Sequence, residues 1–474
     1  MSLFNGHAAL YTDYYELTMA QGYFLTGMHG KPACFDYFFR KLPFKGGYVV
    51  FAGLRDVLEV LQGLRFQPDD LDYLKKCGFH TDFLSYLETF QFRGSVISVK
   101  EGEIVFPNEP VVRVEGEILE TQIVETLVLN LLNFQSLIAT KACRLKVAAG
   151  HRSVIDFGLR RAQALGGIHA SRAAAIGGAE TTSNTYSAFA FGLEPTGTMA
   201  HSWIESFKDE LEAFRQFARI FPDTSVFLVD TINTLSSGVP NAITVAHEME
   251  REGRKLKGIR LDSGDLAYLS KQARTMLDHA GLQYVKIVAS NQLDEHIIKS
   301  LLEQGAPIDV FGVGTSLVVG KEDAALDGVY KLTVYDHSPR LKISDNIEKI
   351  LLPGAKKIYR YIGSDGKFYA DAVLLEEETG IEQMIHPYQP LKRLSVLGLN
   401  KEELHNQVMD HGKITIGKQS PNEIAEFMRS RFALLPDEHK RFEYPHIYKV
   451  GISRKLMELR DELVEEKTKN LSVS

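Results

Sequence analysis

DFGLRRAQALGG, residues 156–167, and EPTGTMAHSW, residues 194–203, bracket the segment on which the fold turns. Each reads as a short apolar strand that stops at polar residues. Ser153–Phe157 precedes Gly158, Leu159, Arg160 and Arg161; Gly197–Ala200 precedes His201 and Ser202. Between them lies an Ala- and Gly-rich, mostly apolar stretch long enough for a crossover helix. Strand, helix, strand is a βαβ unit, and parallel sheets carry their chemistry at the carboxyl ends of strands. Two arginines at one strand end and a histidine at the next suit an anionic substrate.

The pattern continues outward. Apolar runs recur at SVIDF (153–157), TGTMAHS (196–202), SVFLVD (225–230), GIRLD (258–262), VKIVAS (285–290) and IDVFG (308–312), with helical stretches between them. Their spacing of roughly 25–40 residues is that of βα units. The sequence predicts an α/β fold with a (β/α) barrel, complete or irregular, over residues 151–335; a doubly wound open sheet is the alternative. Trp203–Ile220 carries one apolar stripe and predicts a helix packed on the sheet, and YKLTVYD (330–336) reads as a last strand.

Residues 1–150 have a different texture. TDYYELTMAQGYFL (12–25) has helical spacing, with Thr12 and Glu16 as candidate caps and Asp13 and Tyr15 at its start. Residues 33–51 and 95–118 read as strands, and 54–92 and 119–149 as helices, giving an α+β unit. Residues 336–400 return to strands, with a hairpin signal at Gly363-Ser364-Asp365-Gly366. Residues 400–474 are charged and read as a helical C-terminal extension.

Composition narrows the function. Of 474 residues, 44% are hydrophobic and 24% charged, which suits a soluble globular chain of two or three domains. The net charge of −7 is mild and no Lys/Arg block occurs, so nucleic acid and anionic membrane are not expected partners. The apolar run Thr126–Thr140 is interrupted by Asn130, Asn133 and Gln135 and reads as too short and polar to span a bilayer. Three cysteines, Cys34, Cys77 and Cys143, lie far apart, so neither a disulfide framework nor a zinc site is expected. The N-terminus lacks the pattern of a signal peptide. A cytoplasmic location is the expectation.

The strand ends carry the chemistry. They offer Asp156, Arg160 and Arg161; His201 and Ser202; Asp230 and Thr231; Arg260, Asp262, Ser263, Gly264 and Asp265; Ser290 and Asn291; and Gly312, Gly314, Thr315 and Ser316. FGVGTS supplies backbone N–H groups and two hydroxyls for a phosphate monoester, unless it is an ordinary Gly-rich loop. LDSGD suits ribose hydroxyls, or Mg²⁺ through water, and equally an acidic helix cap. The arginines pair bidentately with carboxylate or pyrophosphate, or else bridge the barrel rim. His201 is a hydrogen-bonding group, a base, or a nucleophile toward a phosphoryl group.

TDYYELTMAQGYF, FGLRRAQ, GTMAHSW, LVDT, GIRLDSGDL, ASNQLDE and FGVGTSLV, in this order, resemble nicotinate phosphoribosyltransferase over about residues 7–360. The resemblance implies the type II phosphoribosyltransferase fold: an N-terminal α/β sandwich domain (1–150) completed by 336–400, an irregular α/β barrel (151–335) with the active site, and a C-terminal part. It implies a homodimer with shared active sites, and formation of nicotinate mononucleotide and pyrophosphate from nicotinate and phosphoribosyl pyrophosphate in NAD salvage. It further implies ATP hydrolysis coupled through a phosphohistidine, with Mg²⁺ accompanying phosphoribosyl pyrophosphate and ATP.

Carried over by motif, His201 matches the phosphorylated histidine. Tyr15 matches the aromatic residue that stacks on nicotinate, supplied by the neighbouring subunit. Arg160 and Arg260 match the arginines for carboxylate and phosphates, Asp262 the ribose-side loop, and Gly314 and Thr315 the 5′-phosphate cradle. Tyr14 stands where leucine is common. No cysteine follows Cys143, so the zinc site of some distant members is not expected. Nicotinamide and quinolinate phosphoribosyltransferases, and a non-catalytic nucleotide sensor, are the rival readings.

Overall fold

The computed structural model describes residues 6–343 and 351–472. It has two compact units: Met1–Leu137 with Ala325–Gln419 and Glu426–Ser474, and Ile138–Ala324 with Ser420–Ala425.

The second unit is built on a six-stranded parallel sheet: β1 (Ser153–Asp156), β2 (Thr181–Thr182), β3 (Val226–Leu228), β4 (Gly258–Leu261), β5 (Lys286–Ser290) and β6 (Val310–Val313). The spatial order is β2-β1-β6-β5-β4-β3, every pair parallel. It is a curled, incomplete barrel. The strands read as apolar runs because helices cover the sheet. Glu210–Ile220, for example, buries Ala213, Phe214 and Ala218 at helical spacing, and Phe214 stacks on Phe227 of β3 at 4.6 Å and 4°. The helices start where the sequence offers caps: Asp209, Asp265 and Asp294 each accept a backbone N–H of the first turn at 2.9–3.0 Å.

Two expectations fail here. TGTMAHS is not a strand; the position beside β1 is taken by the two-residue β2, bridged at Thr182 to Pro195. The Thr and small residues of 196–200 run as irregular chain into a short helix, His201–Glu205, so His201 sits on a helix start rather than a strand end. The predicted helix over Trp203–Ile220 is accordingly broken at residues 206–209, with Trp203 Nε1 donating to the Ala213 carbonyl at 3.2 Å. YKLTVYD is a strand, but it does not extend the barrel. Gly328–Tyr335 pairs antiparallel with Pro32–Phe39, so the barrel unit closes at Ala324 instead of residue 335.

The first unit has a seven-stranded sheet with Gly328–Tyr335, Pro32–Phe39, Val112–Glu117 and Ser95–Ser98 at its centre, and a six-stranded sheet from the chain after residue 355. The Gly363–Gly366 turn does join a hairpin, Lys356–Ile362 with Phe368–Leu375. Residues 400–474 are not a separate helical extension. They supply the strands Asn400–Glu403, Asn406–Asp410, Lys413–Ile414 and Val450–Ile452 to these two sheets, besides two helices. A buried ion pair links the two sheets, Lys356 with Asp36 at 2.8 Å; within the six-stranded sheet Arg360 pairs with its neighbour Asp371, and it reaches Glu103 before Ile104–Val105, at 2.6 Å each. Pairing offsets part of the desolvation of these charges, and removing one partner would leave the other buried and uncompensated.

Thr12 and Glu16 do not cap the helix Tyr14–Leu25. Asp13 holds the cap position, and Glu16 is buried, accepting from Gln122 Nε2 at 2.7 Å. The helices Ile118–Ile123 and Glu125–Ala149 together are long and apolar enough to cross a bilayer, contrary to the reading of Thr126–Thr140. In its most apolar window, however, 72% of this run is buried within the chain, as in a core helix.

Candidate active site

The carboxyl ends of β1, β3, β4, β5 and β6 lie along one edge of the barrel sheet, because all strands run parallel. Asp230, just past β3, organises this edge. Its Oδ2 accepts from the Asp262 backbone N–H at 3.0 Å and from Ser263 Oγ at 2.6 Å, tying the loop after β4 to the end of β3. Its Oδ1 is buried with no hydrogen-bond partner among the described residues. Asp262 Oδ1 accepts from Ser290 Oγ of β5 at 2.5 Å, and its Oδ2 lies 3.6 Å from Arg260 Nη2. The Asp230 carboxylate thus holds the backbone of Asp262, and the Asp262 carboxylate lies between Ser290 and Arg260.

Arg260 projects from β4 with 12% of its side chain exposed. Its Nη1 donates to Thr198 Oγ1 at 2.5 Å, its guanidinium lies 6.0 Å from the Phe157 ring centre, and its buried Nε has no hydrogen-bond partner among the described residues. Burial pushes Arg260 below its usual range; Asp262 and Asp230 oppose the shift and nearby Arg160 adds to it. An arginine stays charged despite such a shift, so the site keeps a desolvated cation with unused donor capacity. Thr198 belongs to the loop that ends in His201, so Arg260 anchors that loop.

His201 is half-buried, and its Nδ1 lies 3.0 Å from Thr231 Oγ1. The hydroxyl fixes the ring plane and leaves Nε2 as the other edge of the imidazole. His201, Thr231, Asp230, Asp262, Ser263 and Arg260 thus form one connected cluster.

The other candidates divide. Gly314 starts the short helix Thr315–Val318, with Thr315 exposed and the Ser316 hydroxyl buried and without a hydrogen-bond partner among the described residues, which leaves polar groups for an anion. Gly312 is not part of that loop. It lies within β6, and a Cβ there would meet the Phe157 ring at 2.5 Å, so packing demands this glycine. Asp265 Oδ1 caps Leu266–His279, and Gly264 provides the left-handed turn (φ +77°) before it.

Asn291 is exposed and left-handed at φ +79°. Arg160 and Arg161 are exposed on a turn after β1. Arg161, Ser202 and Asn291 make no described side-chain contact with the cluster. Asp13 and Tyr15 lie in the first unit, where Asp13 Oδ2 accepts from Thr126 Oγ1 at 3.1 Å and Tyr15 is 49% exposed.

Asp156, at the end of β1, is buried. It accepts from Gly158 N–H, Ser171 Oγ and Thr182 Oγ1 at 2.7–2.8 Å and holds the strand end together. Thr198 and Phe157 escaped the sequence reading: neither has chemistry of its own, and only their position beside Arg260 gives them a role.

Family models described as the nicotinate phosphoribosyltransferase N-terminal domain, family and C-terminal domain match residues 10–133, 153–354 and 355–460. The chain belongs to the nicotinate phosphoribosyltransferase family. It is similar to nicotinate phosphoribosyltransferase of Bacillus subtilis, at 42% identity over 94% of this chain and 93% of the relative. It is also similar to that of Dictyostelium discoideum, at 37% identity over 95% and 87%. Among solved structures, human nicotinic acid phosphoribosyltransferase matches with a TM-score of 0.85 and 30% identity, covering 95% of this chain and 99% of that one. The sheet topology is that of an irregular barrel in the type II phosphoribosyltransferase fold.

Proposed function

We propose that the protein forms nicotinate mononucleotide and pyrophosphate from nicotinate and phosphoribosyl pyrophosphate in NAD biosynthesis, and that ATP hydrolysis drives the reaction through phosphorylated His201. The observation that carries this reading is the cluster at the strand ends: an imidazole fixed by Thr231, a desolvated arginine, and the carboxylates of Asp230 and Asp262 on neighbouring strand ends.

Arg260, with Arg160, holds the nicotinate carboxylate and the phosphates. Asp262 and Ser263 face the ribose hydroxyls. Gly314, Thr315 and Ser316 receive the 5′-phosphate. Pyrophosphate departs from C1 of the ribose through an oxocarbenium-like transition state, and the pyridine nitrogen attacks the opposite face. That nitrogen is a weak nucleophile, so positioning contributes most: the arginine on the carboxylate and Tyr15 stacked on the ring, from the neighbouring subunit of a homodimer, supply it. The residues fit Mg²⁺ arriving with the phosphates, because the unpartnered Asp230 Oδ1 and the adjoining Asp262 are hard oxygen donors. The ion supplies charge neutralisation of the departing pyrophosphate.

His201 takes the γ-phosphoryl group of ATP on a ring nitrogen as ADP leaves, and water later releases inorganic phosphate. The phosphorylated site favours the product-forming complex. The reaction belongs to the cytoplasm. Product analysis by mass spectrometry, with Mg²⁺, phosphoribosyl pyrophosphate, and either nicotinate or nicotinamide, with and without ATP, tests this reading. Expected are nicotinate mononucleotide, pyrophosphate, and a yield raised by ATP. A product only from nicotinamide, or none, overturns it.

A further inference from the structure

We propose that Ser290 is a positioning residue of the active site: it clamps the Asp262 carboxylate and so keeps one edge of the Arg260 guanidinium for the carboxylate of a ligand. That this ligand is nicotinate rests on the reaction proposed above; the clamp itself rests on geometry.

A guanidinium can hold a carboxylate bidentately on either of two edges, Nη1 with Nη2 or Nε with Nη2. In Arg260 the first edge is engaged, because Nη1 donates to Thr198 Oγ1 at 2.5 Å. Nε is buried and has no hydrogen-bond partner among the described residues, so the Nε–Nη2 edge is the one with donors to give. Among the described residues, Asp262 alone brings a carboxylate within ion-pair distance of Arg260, with Oδ2 3.6 Å from Nη2. That is too long for a hydrogen bond, and a turn of the Asp262 side chain would close it. A bidentate pair would then satisfy the buried Nε. Asp262 is therefore a built-in rival for the edge that a ligand carboxylate needs.

Ser290 holds this rival back. Asp262 stands one residue past the registered pair Leu261–Ala289, so Ser290, the last residue of β5, lies beside it on the neighbouring strand. Ser290 is buried, and its Oγ donates to Asp262 Oδ1 at 2.5 Å. The Leu261 carbonyl is the other acceptor in reach, at 3.5 Å. A hydroxyl has one proton to give, and the short, charge-assisted bond to the carboxylate takes it. On its other side Ser290 pairs with Gly312, which has no side chain to compete for that proton. The Asp262 backbone N–H is held in turn by Asp230 Oδ2 at 3.0 Å. With its backbone and Oδ1 both fixed, the Asp262 carboxylate does not turn onto Arg260.

Crystal structures and steady-state kinetics of full-length parent and Ser290→Ala proteins test this. The substitution removes a single oxygen atom, so the fold is expected to persist, which a matching Tm verifies. In the variant crystal structure the Asp262 carboxylate is expected within hydrogen-bond distance of Arg260 Nε and Nη2. The KM for nicotinate is expected to rise about tenfold, while kcat at saturating nicotinate changes less than about threefold, because the ligand must first displace Asp262. An Asp262 carboxylate that keeps its parental position in the variant overturns the inference. So does a fall in kcat with the nicotinate KM unchanged, which a general disturbance of the site would produce. If the parent turns over no nicotinate, the proposed reaction fails, and the position of Asp262 in the variant still decides whether Ser290 clamps it.

Discussion

Arg260 is where desolvation, charge and a free donor coincide. Its guanidinium is nearly out of solvent, touches Thr198, and keeps Nε unused. Losing a charge-assisted contact in such a place costs about 2–5 kcal/mol, so Arg260→Ala is expected to depress kcat/KM for nicotinate by that amount with little loss of Tm. Unchanged nicotinate kinetics in both Arg260→Ala and Arg160→Ala would remove these residues from the site. His201 gives a separate expectation. Incubation with ATP alone leaves a phosphate that acid removes and alkali spares, and His201→Ala loses both this label and ATP hydrolysis while retaining slow, ATP-independent transfer. An acid-stable label would move the modification to a hydroxyl such as Ser202. At this scale the sequence was legible where a residue's own chemistry announces it: Arg260, His201, Asp230 and Asp262 all fall in one cluster. It was opaque where a residue acts through a neighbour. Thr198 is one more threonine until the fold places it on Arg260, and Asp156 is one more polar strand end until three donors are seen to consume it.

Elements follow the same logic with packing in place of chemistry. Apolar runs announced five barrel strands, but TGTMAHS misled, because an alternation of small and apolar residues is compatible with extended chain that never joins a sheet. The end of β1 and β6 are locked by Phe157 lying over Gly312. Gly312→Ala forces a methyl to within 2.5 Å of that ring, an overpacking worth about 1–3 kcal/mol. A lower Tm is expected, recovered when Phe157→Leu is added; no recovery would show that the strain lies elsewhere. In the first unit, burial raises Glu16 to about 7, with the charges of Glu125 and Asp13 adding to the shift and hydrogen bonds from Gln122 and Tyr15 opposing it. A carboxyl held protonated by the fold stabilises it fully below its unfolded value near 4.5, and that contribution is lost as pH rises toward 7. Glu16→Gln keeps an acceptor for Gln122 without the titration. Its Tm relative to the parent is expected to climb between pH 4.5 and 7 and level off above; a pH-independent difference would mean that Glu16 ionises normally.

On the scale of the whole molecule, the chain leaves its first compact unit at residues 137/138 and comes back at 324/325, apart from the brief excursion of Ser420–Ala425, and returns the strand Gly328–Tyr335 to the sheet that Pro32–Phe39 began. That return was invisible in the sequence, because an apolar strand pattern carries no label for its partner, and antiparallel pairing over some 290 residues of separation is a tertiary decision. The division has a functional consequence under the proposed reaction. His201 belongs to one unit and Tyr15 to the other, and Tyr15 stands 49% exposed on its helix with Tyr14 and Met19 also open to solvent. Exposed aromatic side chains at a helix start are poor for a lone chain and useful where a neighbour's ligand covers them. If each active site takes its histidine from one subunit and its stacking tyrosine from another, Tyr15→Ala and His201→Ala homodimers are both impaired, each lacking one component at every site. A mixed dimer has one site lacking both components and one site lacking neither. Mixing the two variants under conditions of subunit exchange is therefore expected to restore ATP-coupled activity, approaching a quarter of the parent value per total subunit because half of the dimers are mixed and each has one intact site. Exchange demonstrated by mass spectrometry of differently tagged subunits, with no recovery of activity, would place Tyr15 and His201 in sites built from a single chain.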